Sequence, residues 1–408
     1  MIKNVDKKIR AYALKNSLAY GGKAQLSSVI SSLFNEGLEK KDVKNIIPKI
    51  QKIMIDIEKL SLDKQKQEYE SLSKVTKERK VRQGLPVLPK ARKGKVIMRF
   101  SPSPSGALHI GHAMTSCISF LYVQKYGGKF FVRIEDTNPE NICKEAYQLI
   151  KDDSKWLFKN KAQMLIQSER MEIYYKYIKK IINVGKAYVC TCSQERFKKY
   201  SEKKQNCPCR KLSVKDNLAR WKKMLVKETG SNEGEFFDEG DAVLRFKSSM
   251  IHKNPAMRDF PLARINITYH VLQKNKYRVW PLMNLAVAVD DIVQGMTHII
   301  RAKEHIDNAK RQKLIYKSLR KKYPWEAYLG RLHIKGMRLS ASQLSRAIML
   351  GEYSGWDDKR LLTIQSLMKQ GYKPEAFWKM AEHRGISEVD KIMDKKDFFE
   401  LLDNFNRK

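Results

Sequence analysis

Val96-Ile97-Met98-Arg99-Phe100-Ser101-Pro102-Ser103-Pro104-Ser105-Gly106-Ala107-Leu108-His109-Ile110-Gly111-His112 is the stretch on which the fold turns. Its first five residues form a short, mainly apolar run that predicts a strand. The Ser/Pro/Gly segment from Ser101 to Gly106 predicts a turn. A helix is predicted from about Ile110 to Tyr126, where Gly127-Gly128 ends it. Phe130-Phe131-Val132-Arg133-Ile134-Glu135-Asp136 predicts a second strand. Strand, turn, helix and strand make a βαβ unit, and such a unit implies an α/β fold with a parallel sheet. Leu285-Ala286-Val287-Ala288-Val289 and His298-Ile299-Ile300-Arg301 read as further strands much later in the chain. The sheet is therefore expected to be interrupted by an insertion.

Six segments follow from this frame. Residues 1–72 read as a helical domain, with apolar residues at helical spacing on both sides of Gly21-Gly22. Residues 73–95 carry nine Lys or Arg against Glu78 alone, broken by Gly84, Pro86, Pro89 and Gly94. They read as a solvated basic linker that can also grip phosphates. Residues 96–184 and 279–345 are the two halves of the α/β domain, 185–278 the insertion, and 346–408 a charged helical segment.

The chain has 408 residues, with 81 Lys and Arg against 44 Asp and Glu, a formal charge of +37. Hydrophobic residues make up 42%, enough to build cores and to exclude a disordered basic tail. Charge of this size points to a polyanion, nucleic acid before an anionic membrane. No run reaches the roughly 18 apolar residues of a spanning helix, and the basic N-terminus has no apolar stretch behind it. The expectation is a cytoplasmic protein with no membrane partner. Six cysteines are too few for a disulfide scaffold, so they should be reduced thiols or metal ligands.

His109 and His112 stand at the predicted helix start, three residues apart and so on one face. Free N–H groups and the helix dipole favour a phosphate there. Two imidazoles can donate hydrogen bonds as charge builds on it. Gly111 leaves room for a ring or a phosphate to approach the backbone. A pair of ordinary surface histidines has the same spacing. The position at the C-terminal end of a strand, where α/β sheets bind ligands, favours the functional reading.

The run Arg99 to His112 resembles the opening motif of class I glutamyl-tRNA synthetases. Arg133-Ile134-Glu135-Asp136-Thr137-Asn138-Pro139 is similar to a second motif of that family, and Ala286 to Asp291 with His298 to His305 to the second half of its sheet. The N-terminal segment around Tyr12-Ala13-Leu14 and Tyr20 to Ala24 resembles the extra domain of the archaeal-type branch. The resemblance covers nearly the whole chain. It implies a Rossmann-like parallel sheet with an inserted domain that binds the tRNA acceptor end. It implies activation of L-glutamate by ATP with Mg2+, then transfer to the 3′ end of tRNA(Glu), with tRNA(Gln) as a second candidate. His109 and His112 would stabilise the α-phosphate, and Pro102, Gly106, Gly111 and Leu339 would contact ATP. Arg99 would receive the glutamate side-chain carboxylate with Arg301 as helper, and Ser101, Ser103 and Glu135 would orient its α-groups. Asp290-Asp291 fits a cap or a structural pair equally well.

The second ATP motif departs from the family's lysine-rich loop: Gly336-Met337-Arg338-Leu339-Ser340-Ala341-Ser342-Gln343. Arg338 keeps one cation, and Ser340 and Ser342 keep the hydroxyls. Ala341 and Gln343 replace lysines, with Lys335 and Arg346 the nearest cations to compensate. Cys190, Cys192, Cys207 and Cys209 form two Cys-x-Cys pairs, a ligand set suited to tetrahedral zinc and also readable as four reduced thiols. The resemblance compares them with a structural zinc knuckle. Gly355-Trp356-Asp357-Asp358-Lys359-Arg360-Leu361 and Ile364 to Gly371 resemble the family's stem-contacting segment. The chain stops where the first anticodon-reading β-barrel would begin, so that module is expected to be a separate polypeptide or lost. The competing functional readings are a paralogue that glutamylates other tRNAs or a modified base, and a catalytically weak tRNA-binding protein.

Overall fold

The computed structural model describes residues 4–76, 84–227, 236–337 and 339–407. They separate into two compact units, residues 1–82 and 83–408. The first holds four helices: α1 (Val5–Ala19), α2 (Leu26–Phe34), α3 (Val43–Glu58) and α4 (Leu62–Leu72). Ile9, Ala13 and Leu14 of α1 meet Val29 and Leu33 of α2 and Ile50 and Ile57 of α3 in one core. The buried Gln65 ties α4 to it, accepting from Ser17 Oγ at 2.8 Å and donating to the Ile57 carbonyl at 3.0 Å.

The second unit is built on strands β1 (Val96–Phe100), β2 (Gly128–Ile134) and β3 (Gln163–Ile166), all parallel, with β2 central. Its helices begin with α5 (Ile110–Tyr126), α6 (Ala146–Leu157) and α7 (Met171–Asn183). Gly128 has φ +134°, and a Cβ there would lie 1.9 Å from the Val96 carbonyl oxygen. The close start of the β1–β2 pairing therefore requires glycine. Further along come β8 (His298–Ala302) and β9 (Trp325–Leu329), a parallel pair. Thr297, just ahead of β8, donates its N–H to the Ile97 carbonyl (3.0 Å) and accepts from the Ile97 N–H through Oγ1 (2.9 Å). The strands thus run β3-β2-β1-β8-β9. The break in order falls between β1 and β8, where open α/β sheets bind ligands.

Between β3 and β8 lies an antiparallel sheet of β4 (Ala187–Cys190), β5 (Val243–Phe246), β6 (Pro261–Ile265) and β7 (Val279–Pro281), in that order. Helices α8 (Gln194–Glu202) and α9 (Val214–Leu225) connect β4 to β5. This sheet does not have a core of its own. Leu244, Leu262 and Trp280 share one cluster with Tyr174 and Ile178 of α7 and with Leu285 and Val289.

Leu285–Val289 is not a strand: it lies inside α10 (Met283–Val293). A short, continuous apolar run has no periodicity to separate strand from helix. Here all five residues are buried, as a helix packed on several sides requires. The remaining elements are α11 (Ile306–Ser318), β10 (Leu332–Ile334), α12 (Ala341–Met349), α13 (Ile364–Lys369), α14 (Pro374–Arg384), β11 (Lys391–Met393) and α15 (Lys395–Arg407). β10 pairs parallel with β11, which anchors the strand before the second ATP motif to the C-terminal helices. Phe377, Met380, Phe398 and Leu402 of α14 and α15 join the main core beside Phe120 of α5.

The 73–95 stretch is not a linker throughout. Leu85 and Leu88 are buried in the main core, and Tyr122 Oη donates to the Pro86 carbonyl at 2.9 Å. Its basic residues Lys77, Arg79, Lys80 and Arg82 lie outside the described residues. Among the described residues, no helix is long and apolar enough to cross a membrane.

Candidate active site

The cleft opens where β1 and β8 diverge and has a volume of about 1200 Å3. Arg99, Ser101, Pro102 and Ser103 enter from the end of β1 and its turn, Glu135 from the end of β2, and Arg301 from β8. His109, Gly111 and His112 line it at the start of α5, and Leu339 and Ser340 from the loop before α12. Gly106 and Ser342 do not line it. Gly106 is buried under Trp356, and Ser342 is exposed with its hydroxyl 3.2 Å from that of Ser340. Arg338 lies outside the described residues.

His109 is the N-cap of α5, and its Nδ1 accepts the Gly111 N–H at 3.1 Å. His112 Nδ1 accepts the His109 N–H at 3.3 Å. The rings stack with centroids 3.8 Å apart. Because each Nδ1 accepts, the hydrogen-bond network assigns the ring proton to Nε2 on both. Burial holds His112 down to about 4 and, with His112 as a second cause, pulls His109 well below its ordinary value. The result is two neutral N–H donors at the positive end of a 17-residue helix.

Beneath them lies a buried ionic network. Arg99 makes a two-point bond to Asp291, Nε to Oδ1 at 2.7 Å and Nη2 to Oδ2 at 3.0 Å. The fully buried Arg133 donates to Asp291 Oδ1 at 2.8 Å and to Glu135 Oε1 at 3.2 Å. Asp290 accepts from Gln167, Arg170 and Tyr174 at 2.7 to 2.9 Å. The two aspartates, whose role spacing left open, are thus a structural pair in the last turns of α10. Burial works against the charge on Asp291, but Arg99 and Arg133 outweigh it and hold the carboxyl at about 2. For Glu135 burial prevails and raises the carboxyl despite Arg133 and Arg99.

Arg301 differs from its neighbours. It is 7% exposed and, among the described residues, bonds only neutral groups, Gln312 Oε1 at 2.9 Å and Tyr323 Oη at 3.4 Å. Its Nε has no partner among the described residues, and neither does Ser101 Oγ. Both residues line the cleft. Lys335 and Arg346 do not: Lys335 pairs with Asp394 at 3.0 Å, and Arg346 is exposed on α12. The cations that sequence reasoning missed are Arg264, Arg331 and Arg384. They come from β6, the residue before β10 and the end of α14, and no local motif marks them.

A family model described as tRNA synthetases class I (E and Q), catalytic domain, matches residues 95–405. The chain belongs to this family. A glutamate–tRNA ligase of Methanocaldococcus jannaschii is 41% identical over 388 residues, covering 95% of this chain and 68% of that protein. A glutamate–tRNA ligase of Pyrococcus horikoshii is 41% identical over 413 residues, covering 99% and 70%. The chain therefore spans about two thirds of the length of these relatives. The crystal structure of a glutamate tRNA ligase from Elizabethkingia meningosepticum aligns with a TM-score of 0.53 at 19% identity, over 77% of this chain and 69% of that one. At that identity it supports the class I synthetase fold alone.

Cys190, Cys192, Cys207 and Cys209 stand apart from the cleft, with their sulfurs all within 4.8 Å of one another. The Cys190–Cys207 and Cys192–Cys209 sulfurs are 3.9 Å apart. Four thiolates about 2.3 Å from a tetrahedral zinc would be roughly 3.8 Å apart, so the cluster has the size the metal needs. Hydrogen bonds from Cys190 and Tyr188 favour a thiolate at Cys207, which stands at about 5. The Thr191 N–H points to Cys209 Sγ at 3.5 Å.

Proposed function

We propose that this chain activates L-glutamate with ATP, accompanied by Mg2+, to glutamyl-adenylate and transfers it to the 3′ end of tRNA(Glu). The supporting observation is the charge of the cleft floor. Arg99, Arg133 and Arg170 are matched by Asp290, Asp291 and Glu135, which leaves Arg301 as a buried guanidinium with no carboxylate at ion-pair distance among the described residues. A buried, unpaired charge is costly. A carboxylate entering the cleft would neutralise it, and a carboxamide would not. Glutamate is therefore favoured over glutamine as the amino acid. Arg99 Nη1 makes no hydrogen bond among the described residues and can join Arg301 at that carboxylate. Ser101 and Glu135 stand beside them to orient the α-groups.

At the other end of the cleft, the Nε2 protons of His109 and His112 and the N-terminus of α5 receive the α-phosphate. They donate most strongly as the fifth oxygen arrives and negative charge grows. The +37 formal charge fits a protein that holds a folded RNA.

Glutamate-dependent ATP–pyrophosphate exchange, measured with and without tRNA, separates a ligase from a tRNA-binding protein. No exchange under either condition would refute the reading. Arg301→Gln should raise KM for glutamate roughly 10- to 100-fold, the loss of one charged hydrogen-bonding group. An unchanged KM would remove Arg301 from the substrate site.

We further propose that the four-cysteine cluster holds a structural zinc. It would cross-link a knuckle in which Tyr188, Phe197 and Met250, with Tyr200 and Leu212 packed against them, form a small hydrophobic cluster around the sulfurs. Metal analysis should find about one zinc per chain, bound in tetrahedral thiolate coordination by X-ray absorption. A chain that retains no zinc after purification with zinc present would overturn this.

A further inference from the structure

His109 is gripped from a distant part of the chain. The residues flanking it form an antiparallel bridge with the segment after α12. The Ile110 N–H donates to the Leu362 carbonyl at 2.9 Å, and the Ile364 N–H donates to the Leu108 carbonyl at 2.8 Å. His109 and Thr363 are the bridged pair. One carboxylate fastens both strands of the bridge. Asp153, buried on α6, accepts the Leu108 N–H at 2.9 Å on one oxygen and Gln365 Nε2 at 2.6 Å on the other. Trp356 closes the arrangement. Its indole lies over Gly106, where a Cβ would sit 2.2 Å from the ring, so the wedge and the glycine fit only together. The buried Thr363 hydroxyl donates to the Trp356 carbonyl and fixes wedge and bridge to each other.

His109 has extended backbone, φ −128° and ψ 172°, and its own helix holds it only from the C-terminal side, through the cap bonds to Gly111 and His112. The bridge supplies that restraint on both sides of His109. We propose that Trp356–Gln365 is a brace that positions the His109–His112 pair, with Trp356 and Thr363 as positioning residues. This inference rests on the proposed glutamate activation, in which displacement of a donor by about 1 Å is enough to cost up to roughly a hundredfold in rate.

The test uses the full chain and two readouts. In glutamate-dependent exchange, Trp356→Ala is expected to lower kcat by at least about tenfold. KM for ATP and glutamate should stay within about threefold, because binding contacts are untouched. Trp356→Phe keeps a ring over Gly106 and should retain kcat within about threefold. If Trp356→Ala has no cooperative melting transition, Thr363→Val carries the test. It keeps the shape, removes the hydroxyl's bond to the Trp356 carbonyl together with its cap on the Ser366 N–H of α13, and should lower kcat by about fivefold. The second readout needs no activity. The imidazole nitrogen resonances of His109 and His112 should move in Trp356→Ala and stay in place in Trp356→Phe. A folded Trp356→Ala or Thr363→Val with wild-type kcat, or with its loss wholly in KM, overturns the brace, as do histidine resonances that do not move. A wild-type chain without exchange refutes the proposed activity, and the resonances still decide the brace.

Discussion

His109→Asn is expected to lower kcat of glutamate-dependent exchange by roughly 10²- to 10³-fold, the usual effect of losing one preorganised donor at a developing charge. The substitution is chosen from the geometry. The Asn side-chain oxygen takes the place of Nδ1, accepts the Gly111 N–H and remains a good helix N-cap. What it lacks is the Nε2 proton. The melting transition should therefore stay near that of the wild type while the chemical step fails. His109→Gln reverses the test: its amide reaches the Nε2 position and loses the cap, so it should be less stable and more active than His109→Asn. If His109→Asn keeps exchange within about tenfold of wild type, the donor role is wrong.

The pH dependence follows from the same environment. His112 protonates in the folded protein only near 4, against 6.5 for an ordinary histidine. Its lowered value means that the unfolded chain takes up the proton first. Stability is thus lost as pH falls from about 6.5 toward 4 and is fully present above that window. Neither histidine should contribute an acid limb to exchange near neutral pH, since both are already neutral donors there.

The β1–α5–β2 unit was legible because its signals are local: an apolar run, a Pro/Ser/Gly turn, a helical period ended by Gly127-Gly128. The structure has β1 at Val96–Phe100 and α5 at Ile110–Tyr126, as those signals predict. The cysteine cluster was legible for the same reason, since two Cys-x-Cys pairs restrict where four sulfurs can go. Signals failed where structure depends on contacts between distant residues. The α10 run is apolar all round, so its type was set by the elements packed on it. The Leu362–Ile364 bridge joins residues more than 250 positions apart in the chain, and nothing in Leu361-Leu362-Thr363 announces a partner at His109. The cleft arginines Arg264, Arg331 and Arg384 were missed likewise, being brought together only by the fold. The resemblance implied Arg99, with Arg301 as helper, as the receptor of the glutamate carboxylate. The sequence could not reveal that Asp291 already occupies two of its donors.

Asp291 is where fold and function compete most directly. Asp291→Asn should destabilise the catalytic unit by about 3–5 kcal/mol, the cost of breaking a buried ion pair and leaving its partners unmatched. Arg99 loses its carboxylate and Arg133 one of three, Glu135 and Asp290 remaining, and both guanidiniums are at most 8% exposed. A loss of that size should lower the melting temperature by on the order of 10 °C. Urea unfolding followed by tryptophan fluorescence reads it in the unit that contains every tryptophan of the chain, since residues 1–82 have none. A midpoint equal to wild type would show that Glu135 and Asp290 suffice to balance the arginines without Asp291. The wild-type contribution also has a definite pH window. Asp291 sits at about 2 against an ordinary 3.8, so its stabilisation is complete above 3.8 and is lost as pH falls through 2. An apolar replacement of the whole network would solve the stability problem, as buried ion pairs often can be replaced without loss. It would also remove the guanidinium that faces the cleft. The network holds Arg99 rigidly against Asp291 and leaves Arg301 without a carboxylate at ion-pair distance among the described residues. On that account Asp291→Asn should raise KM for glutamate as well as lower stability, and an apolar replacement of Arg99, Arg133, Glu135 and Asp291 together should recover stability without recovering KM.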